Sequence, residues 1–360
     1  MNSSSGSALI VNGEAQGQFA ISLANLALDD SVYIGAQGQV TGVINGFYLD
    51  DTAAEITNDG HVYGAQYGIE SDGSRGDTIT NDGVISTSGY AGIPDSAAIT
   101  INQSEFETIQ NAGLVSGPQA IYVEQGSNAA IQNSGTIQGT LTAADTAQIS
   151  LDNSGVLHGA LDLDSSANNI VTNSGKIHGA VSFGSGENVF TNSESVTGSI
   201  TFGSGSDTLV NSGTITGYVI FTGTADQLTN GGQIHGNVAM GYGDILVNTG
   251  TIHGEVTLGV NDQYYSGSGD VTAPLIASAY DDFNFSGSLG HETIGGFVPG
   301  GATHDVIHFS NDEFANYTAL QADMTQVGAD VVITLDPNDS LVLEHMTLAR
   351  LSSHDFTFGS

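Results

Sequence analysis

One short motif limits what this chain can fold into. The pattern N-[SDATG]-G-x-[IVL]-x-G recurs, led by Asn58, Asn81, Asn111, Asn133, Asn153, Asn173, Asn192, Asn211, Asn230 and Asn248. The intervals are 23, 30, 22, 20, 20, 19, 19, 19 and 18 residues, and one copy carries Glu194 in place of glycine. Self-similarity at this period marks a stack of coils, each too small to bury its own apolar face. Aligned on the asparagines, the chain resolves into columns. Two residues before each stands an apolar residue such as Ile56, Ile131, Leu209 or Leu246, and four after stands another, such as Val62, Leu157 or Ile252. In the later copies, positions eight and ten residues on add Leu161, Val181, Ile200 and Val219, then Leu163, Phe183, Phe202 and Phe221. Even offsets within short runs are the strand period. Their recurrence places equivalent strands roughly 4.8 Å apart in parallel pairing. Each coil then hides about four apolar side chains, each worth roughly 1.5–3 kcal/mol before backbone entropy is counted. The asparagines read as structural, bonding nearby backbone and one another along the stack, with the following glycine expected to supply a positive φ.

The expected fold is therefore an all-β, right-handed parallel β-solenoid with coils of 18–23 residues, followed by a small β-rich cap with one short helix. Residues 1–29 read as an N-terminal segment or cap, 30–272 as the solenoid, and 273–360 as a C-terminal cap and secretion region.

Charge narrows the partners. Thirty-nine acidic residues face three basic ones, Arg75, Lys176 and Arg350, for a net charge of −36. Such a surface repels phosphate backbones and anionic lipid, which argues against nucleic-acid and membrane partners. It also opposes compaction unless cations neutralise it. There is no cysteine, so disulfides and thiolate metal sites are excluded. No run approaches the roughly 18 apolar residues of a membrane span. The opening MNSSSGSALIVNGEAQG has neither the basic nor the apolar region of a Sec signal peptide.

A second turn in each late coil is acidic and glycine-rich: FGSGENVFTN, FGSGSDTLVN, FTGTADQLTN and MGYGDILVN. Gly203, Gly205 and Asp207 match the core of the calcium-binding nonapeptide G-G-x-G-x-D-x-U-x. Gly184, Gly186 and Asn188, then Gly223 and Asp226, Gly241, Gly243 and Asp244, and Gly259 and Asp262 are looser copies. Stacking sets Asp207, Asp226, Asp244 and Asp262 along one edge at intervals of 19, 18 and 18 residues. Ca²⁺ between coils would relieve their mutual repulsion, so these residues are the candidate calcium ligands. An ordinary solvent-facing turn is the alternative.

The last 70–75 residues carry T-I-G-G-F at 293–297, D-V-I-H-F at 305–309, G-A-D-V-V-I-T-L at 328–335, D-S-L-V-L at 339–343, M-T-L-A-R-L at 346–351 and D-F-T-F at 355–358. This resembles the C-terminal region of RTX-type (haemolysin-type calcium-binding) proteins exported by type I secretion. The resemblance implies export directed by the C-terminus and folding outside the cell on calcium. The upstream N-S-G repeats depart from the family's tandem arrays. Within this segment Ser310 and Glu313 match a capping box, and Phe314, Tyr317, Leu320, Met324 and Val327 would form one apolar helix face. The strands VVITL and SLVLEHM suggest a cap on the open end of the stack.

His158, His178, His235 and His253 each lie five residues after their asparagine and should point outward. Members of each pair could approach to about 5 Å, a geometry open to a transition metal, although the favoured reading is a solvent-facing polar column with Thr197 and Thr216 in the intervening coils. Lyases on acidic sugars need basic residues, of which this chain has only three, while a glycosidase needs only two carboxylates, such as Asp281 and Asp282 or the aspartate edge. No nucleophile elbow is present. The sequence thus reads as a non-enzymatic, secreted, calcium-binding structural protein of the cell surface or matrix, in a surface layer, filament, biofilm or adhesin. It is expected to form a homo-oligomer or polymer, with cell-surface polysaccharide as another partner. A polysaccharide-active β-helix enzyme and a monomeric glycan- or ice-binding module are the alternatives.

Overall fold

The computed structural model describes residues 8–24, 28–50, 53–89, 93, 96–267, 269–287 and 289–359. The N-terminal reading of residues 1–7 lies outside them. The chain divides into two compact units, residues 1–189 and 190–360. Each is a parallel β-solenoid, and together they hold about 14 turns.

In the first unit, one sheet stacks Ala8–Val11, Leu28–Ile34, Ala53–Asn58, Thr78–Asn81, Glu107–Asn111, Asn128–Asn133, Gln148–Asn153 and Ile170–Asn173. Asparagine meets asparagine in register from Asn58 through Asn173. In the second unit the same column runs Asn211, Asn230, Asn248, Ser266, Phe285, Phe309, Phe358. The motif ends at Asn248, yet coil-on-coil pairing continues through Phe356–Phe358. The expected apolar columns form the core: Ile56, Ile131, Leu209, Val62, Leu157, Ile252, Leu161, Ile200 and Phe202 are all buried. Phe202 and Phe221 stack with ring centroids 4.7 Å apart.

The asparagines form buried hydrogen-bonded ladders. In the first unit the Nδ2 of Asn58, Asn81, Asn111, Asn133 and Asn153 donates to the Oδ1 of the next at 2.7 Å. In the second, Asn192, Asn211 and Asn230 do the same at 2.8–2.9 Å. Each carboxamide thus satisfies its neighbour, as buried polar groups must. The glycine two residues on behaves differently from expectation. Gly83, Gly135, Gly155 and Gly175 do not have positive φ. Glycine is needed there for closeness: a Cβ on Gly155 would collide with the Gly135 carbonyl oxygen of the adjacent coil.

The second unit closes with an antiparallel meander. Ser340–Leu343 adds in parallel to His291–Gly295, then pairs antiparallel with Asp330–Thr334, which pairs with Met324–Val327. The helix is shorter than its apolar pattern suggested, Tyr317–Ala322, capped by Asn316 through its bond from the Ala319 N–H. Ser310 and Glu313 instead hold a turn before it, with Glu313 accepting the Ser310 N–H at 2.9 Å. Met324 and Val327 leave the helix because their backbone is taken up by strand pairing, a tertiary gain that overrides local periodicity.

Candidate functional site

The acidic turns do stack, and their side chains point inward. Asp207, Asp226, Asp244 and Asp262 are fully buried, and the column continues through Asp281, Asp305 and Asp355. The Oδ1 of Asp226, Asp244, Asp262, Asp281 and Asp305 accepts the backbone N–H of the preceding aspartate at 2.7–3.0 Å. The Oδ2 of Asp262 accepts from Gly259 at 2.6 Å, that of Asp281 from Ser278 at 2.8 Å, and that of Asp244 from Gly241. The residues before Asp226, Asp244, Asp262 and Asp281 turn the corner in left-handed geometry: Ala225, Gly243, Asn261 and Tyr280, with φ of 59–69°. Corner carbonyls are engaged too, since Tyr242, Val260 and Ala279 accept the N–H groups of Ala225, Gly243 and Asn261.

Asn188 plays the same part in the first unit. Its Oδ1 accepts the Asn169 N–H at 2.9 Å and its Nδ2 donates to Gly186 at 2.8 Å, while Gly184 packs on the Ser165 carbonyl. Gly203, Gly205 and Gly223 belong to the corner backbone, and a Cβ on Gly223 would strike the Gly205 carbonyl. The sequence reading missed Asn169, Asp305 and Asp355 as members of this column, and also Asp77 and Glu107, buried corner acids of the first unit. The signal for the last two was a following strand without a full glycine motif. Left-handed Gly76 and Phe106 precede them just as in the later corners.

Electrostatics follow from this burial. Loss of solvent raises Asp226 to about 7, opposed by the Asp207 N–H and reinforced by the charges of Asp244, Asp207 and Asp262. Burial likewise raises Asp281 to about 7 and Asp262 to about 6, and lifts Asp244 and Asp305. Glu107 rises to about 8 through burial and the Asp77 charge. Glu292, buried against Tyr264, rises to about 8 chiefly by desolvation. The donor set around the corner is made of N–H groups, which suit a carboxylate or a shared proton. Asp244, Asp262, Asp281 and the corner carbonyls meet N–H donors, whereas Asp226 Oδ2 is buried with no hydrogen-bond partner among the described residues, and calcium takes oxygens of that kind as ligands. Among the described residues, no group of three or more histidine or acidic side chains is placed to hold a metal.

Asp281 and Asp282 lie on opposite faces of their coil. Asp281 is in the buried column, and Asp282 meets His308 at 3.2 Å on the outside. The histidine pairs do form: the rings of His158 and His178 stack at 4.9 Å, and those of His235 and His253 at 4.7 Å, all four exposed. No family model matches this chain, and no relative appears among curated proteins. Among the described residues, no helix is long and apolar enough to cross a membrane.

Proposed function

We propose that this chain is a secreted structural protein of the cell surface or extracellular matrix that self-associates through its first coil. The supporting observation is a set of apolar side chains in the first coil that the described residues leave exposed. Leu9 and Phe19 occupy inward columns, paired with Val32 and Asn45, yet each is 44% exposed, and Ile10 beside them is 64% exposed. Among the described residues, Ala8–Val11 pairs only with Leu28–Ile34, and Glu14–Ala24 only with Gln39–Asp50. Among the described residues their outer edges take no further strand and lie beside apolar side chains, a combination that recruits another chain. The second unit, by contrast, ends in a meander and helix that bury Leu320, Met346 and Phe356.

The RTX-like C-terminal pattern supports export by a type I route. Calcium dependence belongs to the same proposal and is separable by experiment. Light scattering across a concentration series, with calcium and then with EGTA, tests both parts. Concentration-dependent assembly that Ile10→Lys abolishes without changing the circular dichroism spectrum is the expected result. A wild-type chain that stays monomeric at all concentrations overturns the assembly role. Identical spectra, melts and assembly with and without EGTA overturn the calcium part.

A further inference from the structure

We propose that the stacked histidine pairs, His158 with His178 and His235 with His253, are two-imidazole sites for a divalent transition metal, Cu²⁺ foremost. Each pair sits on adjacent parallel coils in the same column, so the backbone register fixes the two rings side by side. The rings are nearly parallel, 13° apart in the first pair and 4° in the second. Both lie on rigid strands, or one residue beyond them, rather than on loops. A ligand pair there loses little conformational freedom on binding.

The surroundings of the second pair sharpen the inference. Between residues 195 and 267 the acids are Asp207, Asp226, Asp244, Asp262 and Glu255, and there is no lysine or arginine. The four aspartates are buried, leaving His235, His253 and the exposed Glu255 as the ionisable groups that reach solvent there near neutral pH. They gather in one patch instead of being dispersed. Glu255, two residues beyond His253, adds negative charge that favours a cation. The neighbouring coils place Thr216 and Thr272 in the same column, their hydroxyls bonded to the carbonyls of Thr197 and His253. That leaves the rings as the metal-binding groups of the column. In the first unit Lys176 lies two residues before His178, so that pair should be the weaker.

Two nitrogens at about 2.0 Å from one ion lie at most about 4 Å apart. Ring centroids at 4.7–4.9 Å therefore need only a modest tilt of exposed, rotatable imidazoles. Water completes the coordination. Imidazole suits copper, nickel and zinc, with copper bound most tightly, whereas calcium prefers oxygen.

The test is Cu²⁺ titration of the full chain at neutral pH in excess calcium, followed by isothermal calorimetry and electron paramagnetic resonance. Two tight equivalents are expected, each with a two-nitrogen hyperfine pattern. His253→Ala should remove one equivalent, and His178→Ala the other, each weakening its site by roughly tenfold or more. Circular dichroism checks that the variants keep their strands, and His253→Gln serves as a second, conservative removal. One-nitrogen spectra in the wild type, or unchanged stoichiometry in both variants, would overturn the proposal.

Discussion

The middle of the first asparagine ladder offers a test in which chemistry and geometry separate. Asn133 accepts from Asn111, and its Nδ2 donates to Asn153 Oδ1 at 2.7 Å, with longer contacts to the Gly135 and Val156 carbonyls at 3.4 and 3.5 Å. Asn133→Asp keeps the size and the accepting oxygen but turns the donor into a second oxygen facing three others. An uncompensated buried charge typically costs about 3–5 kcal/mol, so a loss of that order is expected at about pH 8. Below the folded-state pKa of the new carboxyl, its hydroxyl can donate to Asn153 again. The loss should then shrink to about 1–2 kcal/mol, the range for one imperfect buried hydrogen bond. The sign follows from linkage. Burial raises the folded-state pKa above the unfolded value, so stability is present at low pH and is lost as pH rises through the folded value. Asn133→Ala strands the Asn153 oxygen and leaves a small void, and its cost of about 2–4 kcal/mol should not vary with pH. Urea denaturation of wild type and both variants at about pH 4.5 and pH 8, compared at each pH, reads these differences. Equal losses for Asn133→Asp at the two pH values would refute the claim that the ladder is held by directional donors.

Other expectations follow from the corners and the core. Glu292 and the corner acids Asp226 and Asp281 have raised pKa values, so calcium-free protein should melt higher near pH 5 than near pH 8. Glu292→Gln should flatten part of that slope, by up to roughly 3–4 kcal/mol between pH 5 and pH 8 for a rise from 4.5 to about 8. A variant that tracks wild type across the pH range would remove Glu292 from the account. Ala225 turns its corner at φ 59°, so Ala225→Gly should stabilise by about 0.5–1 kcal/mol, read as a higher denaturation midpoint. Gly155→Ala forces a methyl group onto the Gly135 carbonyl and should cost about 1–3 kcal/mol, with faster amide exchange in the two coils concerned.

Much of this was legible in the sequence because a solenoid converts period into position. Once the asparagines align, Ile131, Leu157, Leu161 and Phe202 fall into columns, and their burial follows from alternation alone. The same arithmetic brought each histidine pair together and gathered Asp207, Asp226, Asp244 and Asp262 into one column. Which way those aspartates turn was not legible. That depends on where the neighbouring coil's N–H groups point, and Asp262 is fixed by Asp244 and Gly259, which only stacking brings within reach. The glycines show the same division. Their recurrence is written in the chain, whereas the reason for it, contact between adjacent coils rather than a left-handed turn, appears only when the coils are packed. Met324 and Val327 fit a helical pattern locally and became a strand because an antiparallel partner was available. The sequence alone determined the repeat, the core columns and the sign of the charge, since these depend on order and composition. Tertiary structure decided the partners of each buried polar atom, because hydrogen bonds are set by distances of a few tenths of an ångström between segments far apart in the chain.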